Sequence, residues 1–128
     1  MLYLKTQNFH WNVKGPYFYS LHKMFEEQYL ELAAAIDEIA ERIRALDSYT
    51  PASFSQFANL SSLKEATSEI NAESMVQKLL KDHETMVEHA AMIIVKAQKV
   101  HDESTADLLI QRQKVHEKTA WMLKSSLK

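Results

Sequence analysis

One glycine and two prolines in 128 residues leave a chain very few places to turn sharply. Average usage would supply roughly nine Gly and six Pro. Sandwiches, barrels and doubly wound sheets need that punctuation at every strand end, so an all-α fold is the expectation. A hydrophobic fraction of 46% is enough for a core, and 25% charged residues mark an ordinary folded chain. The length predicts a single domain over 1–128. With no cysteine, disulfide scaffolds, thiolate zinc sites and cysteine nucleophiles are excluded. A net charge of −2 with six neutral histidines does not suit a polyanion binder. No apolar run reaches the roughly 18 residues of a membrane span. Met1–Leu4 meets Lys5 too early for a signal peptide, and the expected location is cytoplasmic, with no membrane partner.

The breakers divide the chain at Gly15-Pro16, at Ser48 to Pro51, across a Ser- and Asn-rich stretch from Ser53 to Asn71, and at His101 to Ser104. Between them, Phe25, Tyr29, Leu32, Ile36, Ile39, Ile43 and Leu46 recur at steps of 4, 3, 4, 3, 4 and 3, a helical stripe. It predicts a helix from about Tyr17 to Leu46. A second stripe through Val76, Leu79, His83, Met86, Ala90, Ile93 and Ala97 predicts a helix from about Ala72 to Val100. A third helix is expected from Ser104 to Leu127, with Ser104 as N-cap and Asp107 three residues on. Met1 to about Val13 is helical in pattern, and a short helix is expected near Leu63 to Thr67. The natural product is a four-helix bundle whose long middle connection crosses over its length. Its first helix, at about 20 Å, is expected to be short beside partners twice that length.

His10 and His22 stand equidistant from Pro16. In an antiparallel helical hairpin they face each other. On the long helix, His22, Glu26, Asp37 and Glu41 fall at about 0°, 40°, 60° and 100°, on one face. Along the axis they form two pairs, His22/Glu26 and Asp37/Glu41, roughly 22 Å apart, so one chain cannot bring all four to one metal. A two-fold partner can. The midpoint of positions 22 and 41 falls between Glu31 and Leu32, and so does that of 26 and 37. One axis there sets His22 level with Glu41 of a second copy and Glu26 level with Asp37, and an isologous interface makes two such sites. Acids four apart on a helix are ordinarily a solvated face. The shared midpoint is what singles these out. A donor set of two His and up to three carboxylates suits Fe(II), with Zn(II), Mn(II) and Co(II) as competitors.

These residues carry a resemblance. His10-Trp11-Asn12-Val13-Lys14-Gly15, Leu21-His22 and Phe25-Glu26 resemble the first signature of the Dps family, the mini-ferritins. Ile36-Asp37-Glu38-Ile39-Ala40-Glu41-Arg42 with Leu46-Asp47 resembles the second. Thr50 departs from the small Ala or Pro expected there. The resemblance covers essentially the whole chain. It implies a ferroxidase site shared between subunits, with His10 and His22 from one, Asp37 and Glu41 from the other, and Glu26 as an auxiliary ligand. It also implies a hollow shell of twelve subunits. Fe(II) is oxidised there, by hydrogen peroxide in preference to dioxygen, and ferric mineral is stored inside, which protects DNA and associates the protein with the nucleoid. Asp102, Glu103 and Asp107 match the family's acidic pore region, although acids at a helix start also serve as caps. Glu27 and Glu31 are candidates for the mineral-facing wall.

Trp11 beside His10, Trp121 and several tyrosines are candidate electron donors to a stray oxidant. His83 is expected in a core or interface, and His89, His101 and His116 at the surface. The family's first helix is longer and often follows a Lys-rich tail, whereas this chain begins nine residues before His10, with only Lys124 and Lys128 as a basic end. The competing function is a non-enzymatic helical oligomer that coats DNA or another partner, and a tail-dependent grip on DNA is not expected.

Overall fold

The breakers act where the sequence places them. The computed structural model describes all 128 residues and contains five helices: α1 (Leu2–Asn12), α2 (Phe18–Ala45), α3 (Phe54–Leu60), α4 (Ala72–Lys99) and α5 (Glu103–Ser125). No helix is long and apolar enough to cross a membrane. Between α1 and α2, Gly15 sits at φ 116°, a region that L side chains avoid. A Cβ there would meet nothing within 4 Å, so the backbone angle alone calls for glycine. The turn closes when the Phe18 N–H donates to the Gly15 carbonyl at 3.0 Å.

With its one glycine used there, the chain ends both long helices on other residues. Asp47 (φ 62°) and His101 (φ 58°) take the left-handed conformation. After α2, the Asp47 N–H donates to Arg44 and the Ser48 N–H to Ile43. After α4, the His101 N–H donates to Gln98 and the Asp102 N–H to Ala97. Both are Schellman closures, which satisfy the last free carbonyls and ordinarily place Gly at this position.

Two expected helix starts move. The short helix is Phe54–Leu60, not Leu63–Thr67. Ser53 caps it by accepting from the Gln56 N–H, and Gln56 reaches back to the Ala52 N–H, a variant of the capping box. The 63–67 stretch stays a loop because the Ser61 hydroxyl accepts the Leu63 N–H and Asn8 donates to the Ala66 carbonyl, contacts that compete with helical hydrogen bonds. The N-cap of α5 is Asp102 rather than Ser104, accepting from the Thr105 N–H at 3.0 Å.

The chain forms two compact units, Met1–Met75 and Val76–Lys128. In the first, α1 packs on α2. Phe9 and Phe25 are fully buried with ring centroids 6.4 Å apart, flanked by Leu2, Val13, Leu21, Leu32 and Ala35. The buried face of α2 runs Leu21, Phe25, Gln28, Leu32, Ala35. The expected stripe therefore splits. Its first half is core, but Ile36 and Leu46 remain 52% and 51% exposed, as do Tyr49, Phe54 and Leu60 beyond them.

In the second unit, His83 of α4 is buried as expected, whereas His116 of α5, expected at the surface, is buried as well. His116 lies one turn from Arg112, also buried. Arginine only donates, so the Arg112 guanidinium bonded to His116 Nε2 (3.2 Å) puts the His116 proton on Nδ1. That N–H donates to His83 Nδ1 at 2.8 Å. The His83 proton is then on Nε2, which is buried without a partner. Another proton has nowhere to go, and burial, with His116 and Arg112 adding, pushes His83 down to about 3.

Two outcomes follow for stability. An unfolded His titrates near 6.5, so between pH 6.5 and about 3 the unfolded chain binds a proton that the folded chain refuses. The His83 contribution is full above that window and is lost as pH falls through it, by about 1.4 kcal/mol per pH unit. Denaturant unfolding at stepped pH should show that slope reduced by this amount in His83→Gln. His101→Gly should stabilise by about 0.5–1 kcal/mol, because Gly removes the left-handed penalty at a smaller entropic cost, seen as a higher denaturant midpoint with an unchanged slope.

Candidate metal centre

The turn at Gly15 sets the last turn of α1 beside the second turn of α2. There His10 and His22 form a reciprocal pair. His10 Nδ1 bonds the His22 carbonyl at 2.8 Å, and His22 Nδ1 bonds the His10 carbonyl at 2.7 Å. A carbonyl only accepts, so both rings carry their proton on Nδ1 and both Nε2 atoms keep a lone pair. That is the tautomer a histidine ligand needs, fixed by the hydrogen bond on its other nitrogen. The rings stack at 3.9 Å and 16°. Phe18 stacks on His22 at 5.0 Å, and Tyr29 packs edgewise on His10 at 5.1 Å with Tyr3 behind it. Neither imidazole can turn without breaking a hydrogen bond and a ring contact.

Glu26, one turn beyond His22, belongs to the same neighbourhood. Its carboxylate accepts from Lys23 Nζ at 2.9 Å. That ammonium holds it below the usual carboxylate range, with smaller help from His10 and His22. Asp37 and Glu41 are exposed further along α2, roughly 22 and 28 Å from His22 by helical rise. Within one protomer no group of three or more His, Asp or Glu side chains is placed to hold a metal ion. The protomer thus pairs His10 with His22, keeps Glu26 within electrostatic reach of both, and leaves Asp37 and Glu41 apart.

The other candidates separate too. Trp11 is 61% exposed, and the aromatic neighbour of His10 is Tyr29 rather than Trp11. Trp121 lies in the second unit, exposed. At the start of α5, Asp102 is engaged in capping, while Glu103 and Asp107 are exposed. Glu27 is exposed and Glu31 half-buried. Two neighbours of the site escaped sequence reasoning, Lys23 and Tyr29. Tyr29 follows His22 by seven residues and Lys23 precedes Glu26 by three, so helical spacing carried both signals.

With this geometry in view, the relationships of the chain are informative. The Ferritin family, a ferritin-like domain, matches residues 1–128. The chain is 44% identical over 127 residues to DNA protection during starvation protein 2 of Bacillus anthracis, covering 99% of this chain and 87% of that protein. It is 39% identical to general stress protein 20U of Bacillus subtilis, covering 99% and 88%. The crystal structure of a Dps protein from Bacillus brevis superposes with a TM-score of 0.96 at 38% identity, covering 99% of this chain and 85% of that one. A Vibrio cholerae Dps, described as a member of a broad superfamily of ferritin-like diiron-carboxylate proteins, matches at 0.95 and 35%, covering 99% and 80%. Full-length matches of this kind, on an all-α chain with a short middle helix, place it: the chain belongs to the Dps family of the ferritin-like superfamily.

Proposed function

We propose that the protein is a ferroxidase and iron store that oxidises Fe(II), with hydrogen peroxide as the preferred oxidant, at a site shared by two subunits. The observation that carries this reading is the reciprocal His10–His22 pair, which leaves two Nε2 lone pairs fixed in direction, with the Glu26 carboxylate within electrostatic reach. Two imidazoles and a carboxylate bind Fe(II) incompletely. Asp37 and Glu41 of a second copy complete the set, because one two-fold axis between Glu31 and Leu32 levels both acid positions with His22 and Glu26. Apolar surface is available for that contact. Ile36 and Leu46 of α2, Tyr49, and Phe54 and Leu60 of α3 are all exposed in the protomer, large apolar side chains of the kind an interface covers.

Hard carboxylates favour the ferric product over the ferrous substrate. Two Fe(II) each give one electron to a single peroxide. The O–O bond breaks, two protons are taken up, and two waters leave, so no hydroxyl radical is released. Each Nδ1–H stays on its carbonyl, which leaves the Nε2 atom of each ring for the metal. Removal of iron and peroxide together protects DNA chemically, which agrees with the name of the Bacillus anthracis relative. Twelve subunits enclosing ferric mineral, with Glu103 and Asp107 drawing cations towards an entry pore, complete the reading. Zn(II), Mn(II) and Co(II) compete for the same donors, and a Dps from Listeria innocua soaked with zinc is among the related structures.

Fe(II) loaded without oxygen and then mixed with peroxide tests this, with the ferric absorbance as readout. The native chain should oxidise iron well above the buffer rate, and Asp37→Ala should lose at least about 10-fold while keeping its helical content. Oxidation no faster than buffer in the native chain, or full activity in Asp37→Ala, would overturn the proposal.

A further inference from the structure

Leu30 is 57% exposed in the protomer, on the face of α2 that carries His22, Glu26, Asp37 and Glu41. One exposed leucine on a helix is ordinary, but positions 30 and 33 share the midpoint of 22 with 41 and of 26 with 37. Counted from His22 at 0°, Leu30 and Ala33 fall at about 80° and 20°, either side of the centre of that face. Ala33 is exposed too. A large and a small side chain thus stand at the axis, each level with the other in a second copy.

The same midpoint joins Tyr19 to Arg44, at about 60° and 40° and roughly 19 Å out from the axis. Tyr19 is 73% exposed. The exposed Arg44 guanidinium already lies over its own Tyr49 ring, 4.7 Å from the centroid, and an arginine over an aromatic face is a favourable contact. Crossing helices approach to about 8–10 Å at the crossing and separate outwards. Side-chain size follows that gap, with Leu and Ala at the centre and the long Tyr and Arg at the ends. Charge is matched as well, His22 with Glu41 and Tyr19 with Arg44. The one like-charged pair, Glu26 with Asp37, is where the metal of the proposed function would bind.

Building on that shared site, we infer that the Leu30–Ala33 pair fixes the register in which two subunits meet, and so brings Asp37 and Glu41 to the histidines of the other copy. Each Leu30 seats on Ala33 of the second copy, twice about the axis. A slip that sets position 30 against itself collides two leucines, and one that sets position 33 against itself leaves a void. Both are unfavourable. Neither side chain carries a group that could bind metal, so both are positioning residues.

Native mass spectrometry at stepped dilution, read as the fraction of single subunits, tests this beside the rate of peroxide-driven Fe(II) oxidation. Both positions are exposed and both residues are strong helix formers, so the variants should keep the native helical content. Ala33→Leu overpacks the axis and Leu30→Ala empties it, and each should weaken pairing by about 10-fold or more. The reciprocal swap, Leu30→Ala with Ala33→Leu, restores one large and one small partner and should return to within about 3-fold of the native chain. Single variants that pair like the native chain would overturn the inference, and so would a swap that pairs no better than either single variant. Oxidation separates the two claims. If the native chain oxidises iron and the single variants pair as it does, only the register inference fails. If pairing follows the expected pattern but the native chain oxidises iron no faster than buffer, the ferroxidase reading fails and the register stands.

Discussion

Everything proposed for this chain depends on two hydrogen bonds across one turn. His10 and His22 each give their Nδ1–H to the other's backbone carbonyl, and that exchange decides which nitrogen of each ring faces outward. The turn must be tight enough to bring the two helices level, and this is where the chain uses its single glycine. The Phe9–Phe25 contact one layer below keeps α1 on α2. Loss of the turn would free the rings to rotate and to take either tautomer, and the two Nε2 lone pairs would no longer be fixed in direction.

The second constraint is what one protomer lacks. A straight helix carries His22 and Glu41 on one face but holds them about 28 Å apart. Symmetry is the economical solution, since a two-fold axis places each residue of the helix against another at no cost in sequence. The apolar stripe of α2 divides in the same way. Phe25 and Leu32 turn into the protomer, whereas Ile36 and Leu46 stay in water together with the side chains of α3. A buried relay in the second unit, Arg112 to His116 to His83, fixes tautomers by the same donor-to-acceptor logic. There it leaves an N–H stranded in the core instead of a lone pair facing outward.

Much of this was legible in the residues. Scarce Gly and Pro excluded sheets. The 4, 3 spacing placed α2 to within a residue or so at each end, and equal distances from Pro16 paired the two histidines. What escaped depended on competition among local hydrogen bonds. The short helix was sought at 63–67, but Ser53 and Gln56 start it nine residues earlier, at Phe54, and Ser61 prevents the other from forming. The start of α5 was assigned to Ser104, whereas a left-handed His101 brings Asp102 into the cap. His116 looked like a surface residue because its burial depends on Arg112 and His83, and the His83 partner lies 33 positions away. Lys23 was passed over because an exposed lysine on a helix is ordinarily solvated, and only its choice of Glu26 over Glu27 sets it apart.

The central claim is that each site takes its histidines from one subunit and its acids from the other. The most direct measurement mixes two inactive variants, His22→Ala and Asp37→Ala, dissociates and reassembles them together, and follows peroxide-driven Fe(II) oxidation. A mixed pair of subunits contains one site with both lesions and one with neither. Random reassembly should therefore restore about a quarter of native activity, since about half the pairs are mixed and each has one intact site of two. No recovery in reassembled mixtures of confirmed mixed composition would contradict a site shared across the two-fold axis.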